Sequence, residues 1–242
     1  MSSPVDSYGF VSPDARIDVY RVRDYDVDED MAADVVTIMR DAYLASPLGQ
    51  VTIGEDNVRA HFDPQDQTVV DRQQERMAES IANGSNYWLA AVTPLPLNSG
   101  DTRQLGVVKT TPSRPGLRKI AGHPNAFIND LAAAPTESRV PGLGSALLYS
   151  ALGDYHPKRE ALLNAFNYPV HPISWFSRLG FKPVDNSQTP PLQIGDTMFD
   201  QKLMGGTTVQ YARTRLVMHR GWLAQGVKTD INGLTHPADP LY

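Results

Sequence analysis

The chain has 242 residues, a formal net charge of −5 and no cysteine, and 41% of its residues are hydrophobic. This composition is typical of a protein that buries a core, and it excludes disulfides, thiolate metal sites and cysteine nucleophiles. The sequence has no basic cluster, no long apolar run and no secretory signal, so we expect no nucleic-acid partner, no membrane span and a cytoplasmic location.

Hydrophobic periodicity predicts strands, helices and loops in a mixed order. The predicted strands are 17–22, 87–92, 104–110, 127–133, 161–166, 181–184 and 208–218, and the predicted helices are 31–44, 65–82, 142–152 and 172–179. We expect a long loop over 186–206, a flexible N-terminal segment over 1–16 and a C-terminal extension over 220–242. This order predicts an α/β (α+β) protein with a mixed, mostly antiparallel sheet of six to seven strands and about four helices.

One short run at the start of helix 142–152 can bind an anion. Residues 139–145 read Arg-Val-Pro-Gly-Leu-Gly-Ser. The first N–H groups of a helix lack partners within the helix and carry partial positive charge. Gly142 and Gly144 allow close approach of the backbone, Ser145 adds a hydroxyl, and Arg139 adds a positive charge. The run therefore predicts a pyrophosphate site.

Three other interpretations of these glycines compete. A Walker loop requires Gly-x-x-x-x-Gly-Lys-Ser/Thr, which the chain lacks. A dinucleotide fingerprint requires a third glycine where Leu147 stands, and the segment 135–141 separates the glycines from the preceding strand. The third interpretation is structural: two glycines ease a helix start against its neighbour. The run alone does not decide between this and anion binding.

Two motifs together resemble the GNAT family of N-acetyltransferases. Residues 129–148 read Asn-Asp-Leu-Ala-Ala-Ala-Pro, three further residues, then Arg-Val-Pro-Gly-Leu-Gly-Ser-Ala-Leu-Leu. They are similar to the acetyl-CoA motif of that family, Leu-x-Val-x-Pro followed by Arg/Gln-x-x-Gly-x-Gly/Ala. Residues 175–181, Trp-Phe-Ser-Arg-Leu-Gly-Phe, are similar to its second motif, Phe-Tyr-x-x-Leu-Gly-Phe. The resemblance implies a GNAT acyl-CoA N-acyltransferase fold over residues 17–219.

The resemblance also implies which residues contact coenzyme A (CoA). In this family the strand before the loop separates from its neighbour, and its backbone pairs with the pantetheine arm. The residues that match the pyrophosphate loop are Arg139, Val140, Gly142, Leu143, Gly144 and Ser145. Those that match the pantetheine strand and its surroundings are Leu131, Ala132, Ala133, Asn167 and Phe176.

The catalytic residues are less clearly marked by the sequence. Asp130 is the candidate general base, because a protonated amine must lose a proton before it attacks; the alternative is a polar edge or capping residue. Strand alternation predicts that Asn129 points to the opposite face, unless a bulge intervenes. The usual acid of the family is a tyrosine where this chain has Phe176. Phe176 cannot donate a proton, so Tyr168 is the candidate acid of this chain. A thiolate can also leave without strong acid assistance.

The resemblance implies an N-acetyltransferase that moves an acetyl group from acetyl-CoA to a primary amine by direct attack. The acceptor is a small molecule or a peptide, and no metal is needed, since the six histidines lack ligand spacing. One rival uses a longer acyl-CoA. Another is a CoA-binding regulatory or interaction module without catalysis, which Phe176 would favour. The segments 186–206 and 220–242 either close the acceptor site or build a homodimer.

Overall fold

The computed structural model describes most of the predicted elements. It covers residues 7–11, 15–23, 26–46, 54–94, 102–112, 126–134, 140, 142–153, 160–166, 175–177, 179, 181–183, 192–194, 197–199, 201–207, 227–229 and 235–237. None of the helices in these ranges is both long and apolar enough to cross a membrane.

Four helices and twelve strands lie in the described ranges. The helices are α1 (Glu29–Ala45), α2 (Glu55–His61), α3 (Gln67–Ala82) and α4 (Leu143–Gly153), and residues 175–177 form a further helical turn. The strands are β1 (Ser7–Val11), β2 (Ala15–Val22), β3 (Asn86–Pro94), β4 (Arg103–Pro112), β5 (Ala126–Ala133), β6 (Glu160–Phe166), β7 (Lys182–Pro183), β8 (Leu192–Ile194), β9 (Thr197–Phe199), β10 (Gln201–Thr207), β11 (Val227–Thr229) and β12 (Thr235–Pro237).

Ten strands form one mixed sheet in the order β12-β11-β1-β2-β3-β4-β5-β6-β10-β7, and β8 and β9 form a separate pair. Only β5 and β6 pair in parallel, and the other recorded pairs are antiparallel. Helix α4 connects the two parallel strands, as such a crossover requires. The expected mixed, mostly antiparallel sheet is confirmed: β2 to β7 match six of the predicted strands, β10 adds a seventh that was not predicted, and β1, β11 and β12 extend one edge.

The structure differs from the prediction where the apolar pattern is weak. Short strands lie in three segments for which no strand was predicted. The segment expected to be flexible contains β1, the expected loop contains β8, β9 and most of β10, and the expected C-terminal extension contains β11 and β12. Strand β10 contains Gly205 and Gly206, which are typical of a loop, but its backbone pairs with β6 and β7. Helix α2 was not predicted, and the predicted strand over 208–218 lies outside the described residues.

The helices cover both faces of the sheet. Along β3, Trp88 and Ala90 belong to the core beneath α4, whereas Tyr87 and Leu89 belong to the core beneath α1 and α3. This alternation is expected of a strand buried on both faces. Helix α1 begins at Glu29, where the side chain of Asp28 accepts a hydrogen bond from the Met31 N–H at 2.8 Å and caps the helix.

Gly106 of β4 lets α4 approach the sheet closely. A Cβ at this position would lie 2.7 Å from Cδ1 of Leu147, the fully buried leucine of α4. An alanine here must therefore displace the leucine or the helix. Because α4 begins beside the parallel strands, its distance from the sheet also sets the position of its first turn.

We expect Gly106→Ala to destabilise the protein by about 1–3 kcal/mol through overpacking, although Gly→Ala in an open strand stabilises. The measurement is urea unfolding of this variant, alone and combined with Leu147→Ala, which removes Cδ1. The loss of unfolding free energy caused by Gly106→Ala should largely disappear when Leu147→Ala is also present. An equal cost in both backgrounds would contradict the contact.

Candidate active site

Strands β5 and β6 are paired only at their beginnings. The parallel register joins Ala126 to Ala161, Phe127 to Leu162 and Ile128 to Leu163, and no pair follows. Both strands nevertheless continue: β5 stays paired with β4 to Ala133, and β6 stays paired with β10 to its last residue. A gap therefore opens between the C-terminal halves of the two strands, in the middle of the sheet.

The backbone of Ala133 faces this gap. The N–H of Ala134 donates to the carbonyl of Leu105 at 2.7 Å, so Ala134 is hydrogen bonded to β4. In an antiparallel pair, hydrogen-bonded and non-hydrogen-bonded positions alternate. Ala133 pairs with Gly106 at a non-hydrogen-bonded position. Its N–H and C=O thus point away from β4, where an extended ligand in the gap can reach them.

Helix α4 leads from the carboxyl end of β5 to the start of β6, and its Leu147 lies beside Gly106, which pairs with Ala133. The first turn of α4, which precedes Leu147, therefore lies toward the end of β5 that borders the gap. The carbonyl of Gly142 accepts the helical hydrogen bond from Ala146 at 2.8 Å. The N–H groups of Leu143 and Gly144 therefore lie in the first turn, where helix geometry provides no acceptor and the helix dipole is positive. An anion at this helix start would lie next to the gap.

Both glycines of the predicted pyrophosphate run also have local structural reasons. Gly142 has φ +88°, a left-handed conformation that glycine adopts without strain. A Cβ on Gly144 would lie 3.4 Å from Cζ2 of Trp175, so this indole ring covers the first turn of α4. The conformation of Gly142 therefore fits the structural interpretation, and it also leaves the backbone N–H groups at the helix start.

A β-bulge interrupts β5 at the point where the gap opens. Val107 pairs with Ala132 and Lys109 pairs with Asn129, so two residues of β5 lie opposite the single Val108. One of the two is Asp130, whose φ of +47° is the only positive value at a non-glycine residue in the described part of the chain. Aspartate tolerates this conformation better than most residues because of its short polar side chain.

The bulge changes which side chains share a face. Asn129 lies opposite Lys109, whose Nζ donates to Ser80 Oγ of α3 at 2.9 Å, so both residues are on the α3 face. Asp130 also reaches α3: its Oδ2 accepts from Nη2 of Arg76 at 3.0 Å. The expectation that Asn129 and Asp130 point to opposite faces is therefore wrong, because the extra residue breaks the alternation.

Two tyrosine hydroxyls interact electrostatically with the Asp130–Arg76 ion pair. Burial, and secondarily the Asp130 carboxylate, raises the pKa of Tyr43 to about 12, while Arg76 acts in the opposite direction. Burial and Asp130 likewise raise the pKa of Tyr87 to about 12, while Ser80 and Arg76 lower it. Both phenols are therefore neutral hydrogen-bond donors at physiological pH. The Tyr87 hydroxyl forms no hydrogen bond of good geometry within the described residues.

Many solved structures are similar in fold to this chain. One is described as apo FdhC, a nucleotide-linked sugar GNAT; it has a TM-score of 0.52 and 12% identity, and the match covers 84% of this chain and 94% of that one. The chain has the GNAT fold. No protein-family model and no curated protein matches its sequence.

Two further structures resemble the chain at lower TM-scores. The PaiA N-acetyltransferase of Thermoplasma acidophilum, in complex with coenzyme A, has a TM-score of 0.48 and 13% identity over 79% of this chain and 98% of that one. The ribosomal-protein-alanine N-acetyltransferase of Brucella melitensis has a TM-score of 0.49 and 13% identity over 78% and 98%.

Within this GNAT fold, the predicted CoA residues fall into three groups. Leu131, Ala132 and Ala133 belong to β5 beside the gap, and Gly142, Leu143, Gly144 and Ser145 lie at the start of α4, whereas Val140 packs against the main core. Phe176 instead lies in the main core, 8% exposed, with its ring packed edge-on against Phe181. A hydroxyl at this buried position would need a partner, which explains a phenylalanine here. Arg139, Asn167 and Tyr168 lie outside the described residues.

The sequence interpretation missed three residues of this region: Arg76, Tyr43 and Trp175. Arg76 lies on the exposed side of a surface helix, 54 positions from Asp130, and no local pattern connects them. Trp175 is the first residue of the second motif, which gives it no role. Within the described ranges, no three His, Cys, Asp or Glu side chains come together as a metal site would require.

Proposed function

We propose that this protein is an N-acetyltransferase that transfers an acetyl group from acetyl-CoA to a primary amine. The observation that carries the proposal is the gap between β5 and β6, which ends at the start of α4. An extended chain with amide groups can pair with Ala133, and a pyrophosphate can accept hydrogen bonds from the first turn of α4. The pantetheine diphosphate of CoA is a molecule with both features.

The reaction follows from where the thioester would lie. The amine nitrogen attacks the thioester carbonyl carbon, the C–S bond breaks, and the CoA thiolate leaves with the bonding electron pair and takes up the second proton, which the nitrogen loses as the amide forms. The ammonium form of the acceptor must first lose a proton, and Asp130, at the opening of the gap, is our candidate base, directly or through a water molecule. The thiolate of CoA is a moderately good leaving group, so the absence of an acid at Phe176 is compatible with turnover.

The two rival functions differ from this one in measurable ways. A longer acyl-CoA would use the same gap and the same helix start. A CoA-binding module without catalysis would bind acetyl-CoA tightly and release no thiol with any amine. The ionisable pair of Asp130 and Arg76 at the opening of the gap favours catalysis over simple binding, because a binding module needs no base there.

Gly142→Asp should weaken CoA binding by at least about tenfold, since it places a carboxylate at the anion site. Gly142→Asn is the matched control, because asparagine has the same shape, tolerates positive φ equally and carries no charge. Isothermal titration calorimetry measures the CoA affinity of both variants. We expect the Asn variant to stay within about threefold of the wild type.

Wild-type affinity in Gly142→Asp would refute the pyrophosphate site at α4. Equal losses in the two variants would show that backbone conformation, not charge, causes the effect.

Asp130→Asn should lower kcat/KM for an amine acceptor by about 10²-fold or more near neutral pH, the usual contribution of a general base. The loss should shrink as pH rises, because solvent then deprotonates the amine. Thiol release from acetyl-CoA over an amine panel measures both effects. The control is Arg72→Gln, an exposed change on α3 away from the gap. A pH-independent loss would mean that Asp130 only supports the bulge.

A further inference from the structure

The Asp130–Arg76 ion pair occupies one oxygen of the base that the proposed reaction needs. Nη2 of Arg76 lies 3.0 Å from Oδ2 of Asp130, and the side chains are 55% and 26% exposed. An amine that gives its proton to this carboxylate must approach within hydrogen-bonding distance of it. An amine that approaches Oδ2 therefore competes with the guanidinium for this oxygen.

The charges around the pair do not favour a purely cationic acceptor. On the α3 face of β4 and β5, Arg76 contacts Asp130, and Lys109 lies opposite Asn129, the residue before Asp130. The phenols of Tyr43 and Tyr87, which interact electrostatically with Asp130, are neutral donors. The described groups that interact with the base are thus a guanidinium and two hydrogen-bond donors, which suit an anion.

An acceptor that carries a carboxylate next to its amine resolves this competition. Its ammonium can replace Arg76 at Asp130, and its carboxylate can replace Asp130 at Arg76. Both charges of the original pair then keep a partner, whereas a simple amine would leave the half-exposed guanidinium to water alone, without the ion pair. Guanidinium is suited to this role because it binds carboxylates through two parallel N–H groups.

We propose that the acceptor is a zwitterionic amino acid or a close analogue, whose carboxylate is bound by Arg76 while its amine is delivered to Asp130. This inference rests on the proposed acetyl transfer for its catalytic part. Arg76 acts here as a specificity-determining residue. Polyamines and other purely cationic amines are predicted to be poor acceptors.

The test compares matched acceptors in the thiol-release assay with acetyl-CoA and the full chain. Each L-amino acid of a panel is paired with its primary amide and with its decarboxylated amine. The enzymes are wild type, Arg76→Gln, Arg76→Lys and the control Arg72→Gln, which removes a cation one turn away on the same helix. The readout is the ratio of kcat/KM for the acid to that for its amide, because intrinsic differences in amine reactivity cancel when this ratio is compared among enzymes.

We expect the wild type to favour at least one acid, and Arg76→Gln to reduce its acid-to-amide ratio by about tenfold or more, mainly through KM. Arg76→Lys should retain part of the preference for the acid over its amide, and Arg72→Gln should retain all of this preference. A ratio that Arg76→Gln leaves unchanged, or a wild-type preference for amides or amines, would overturn the inference.

A complete lack of thiol release would overturn the proposed function, and a binding measurement then decides the inference separately. Calorimetry of the same amino acids with the CoA-saturated protein requires no turnover. Binding that Arg76→Gln abolishes and Arg72→Gln preserves would support the carboxylate site. Absence of binding in the wild type would overturn it. Thermal unfolding of each variant checks that the fold is intact.

Discussion

Strand β5 pairs with β4 from Ala126 to Ala133, apart from the bulge, but with β6 only over its first three residues. A sheet that loses pairing in its interior leaves backbone groups without partners, which is costly unless water or a ligand satisfies them. The gap lies next to the bulge at Asp130, where one extra residue increases the local twist of β5. Most features of the candidate site follow from this local loss of pairing.

Helix α4 contributes to the same region because it connects the two separating strands. Its first turn can supply N–H groups to an anion, and its closeness to the sheet depends on the absence of a side chain at Gly106. The ring of Trp175 covers that first turn and connects it to the core that contains Phe176. The bulge also turns Asp130 toward α3, so that a base candidate and the cation of Arg76 meet at the opening of the gap.

The sequence predicted the elements with strong apolar periodicity, including β3 to β6, α3 and α4, and its glycines at a helix start indicated an anion site, which stays a prediction. It did not predict β1, β8 to β12 or α2, because these elements are short and three of the strands, β1, β10 and β11, pair with neighbours that are distant in the chain. The side-chain directions of Asn129 and Asp130 could not be predicted, since a bulge is decided by packing on both faces of the strand. The partnership of Arg76 with Asp130 depends on how α3 docks, which no local pattern encodes.

The most direct test of this account is the amide exchange rate of Ala133 in the presence and absence of CoA, measured by nuclear magnetic resonance. If the pantetheine arm pairs with β5 across the gap, saturating CoA should slow exchange at Ala133. The amides of Ala132 and Ala134 face β4 already and should change little. Unchanged exchange at Ala133 in the CoA-saturated protein would show that CoA does not bind along β5, and would contradict the account.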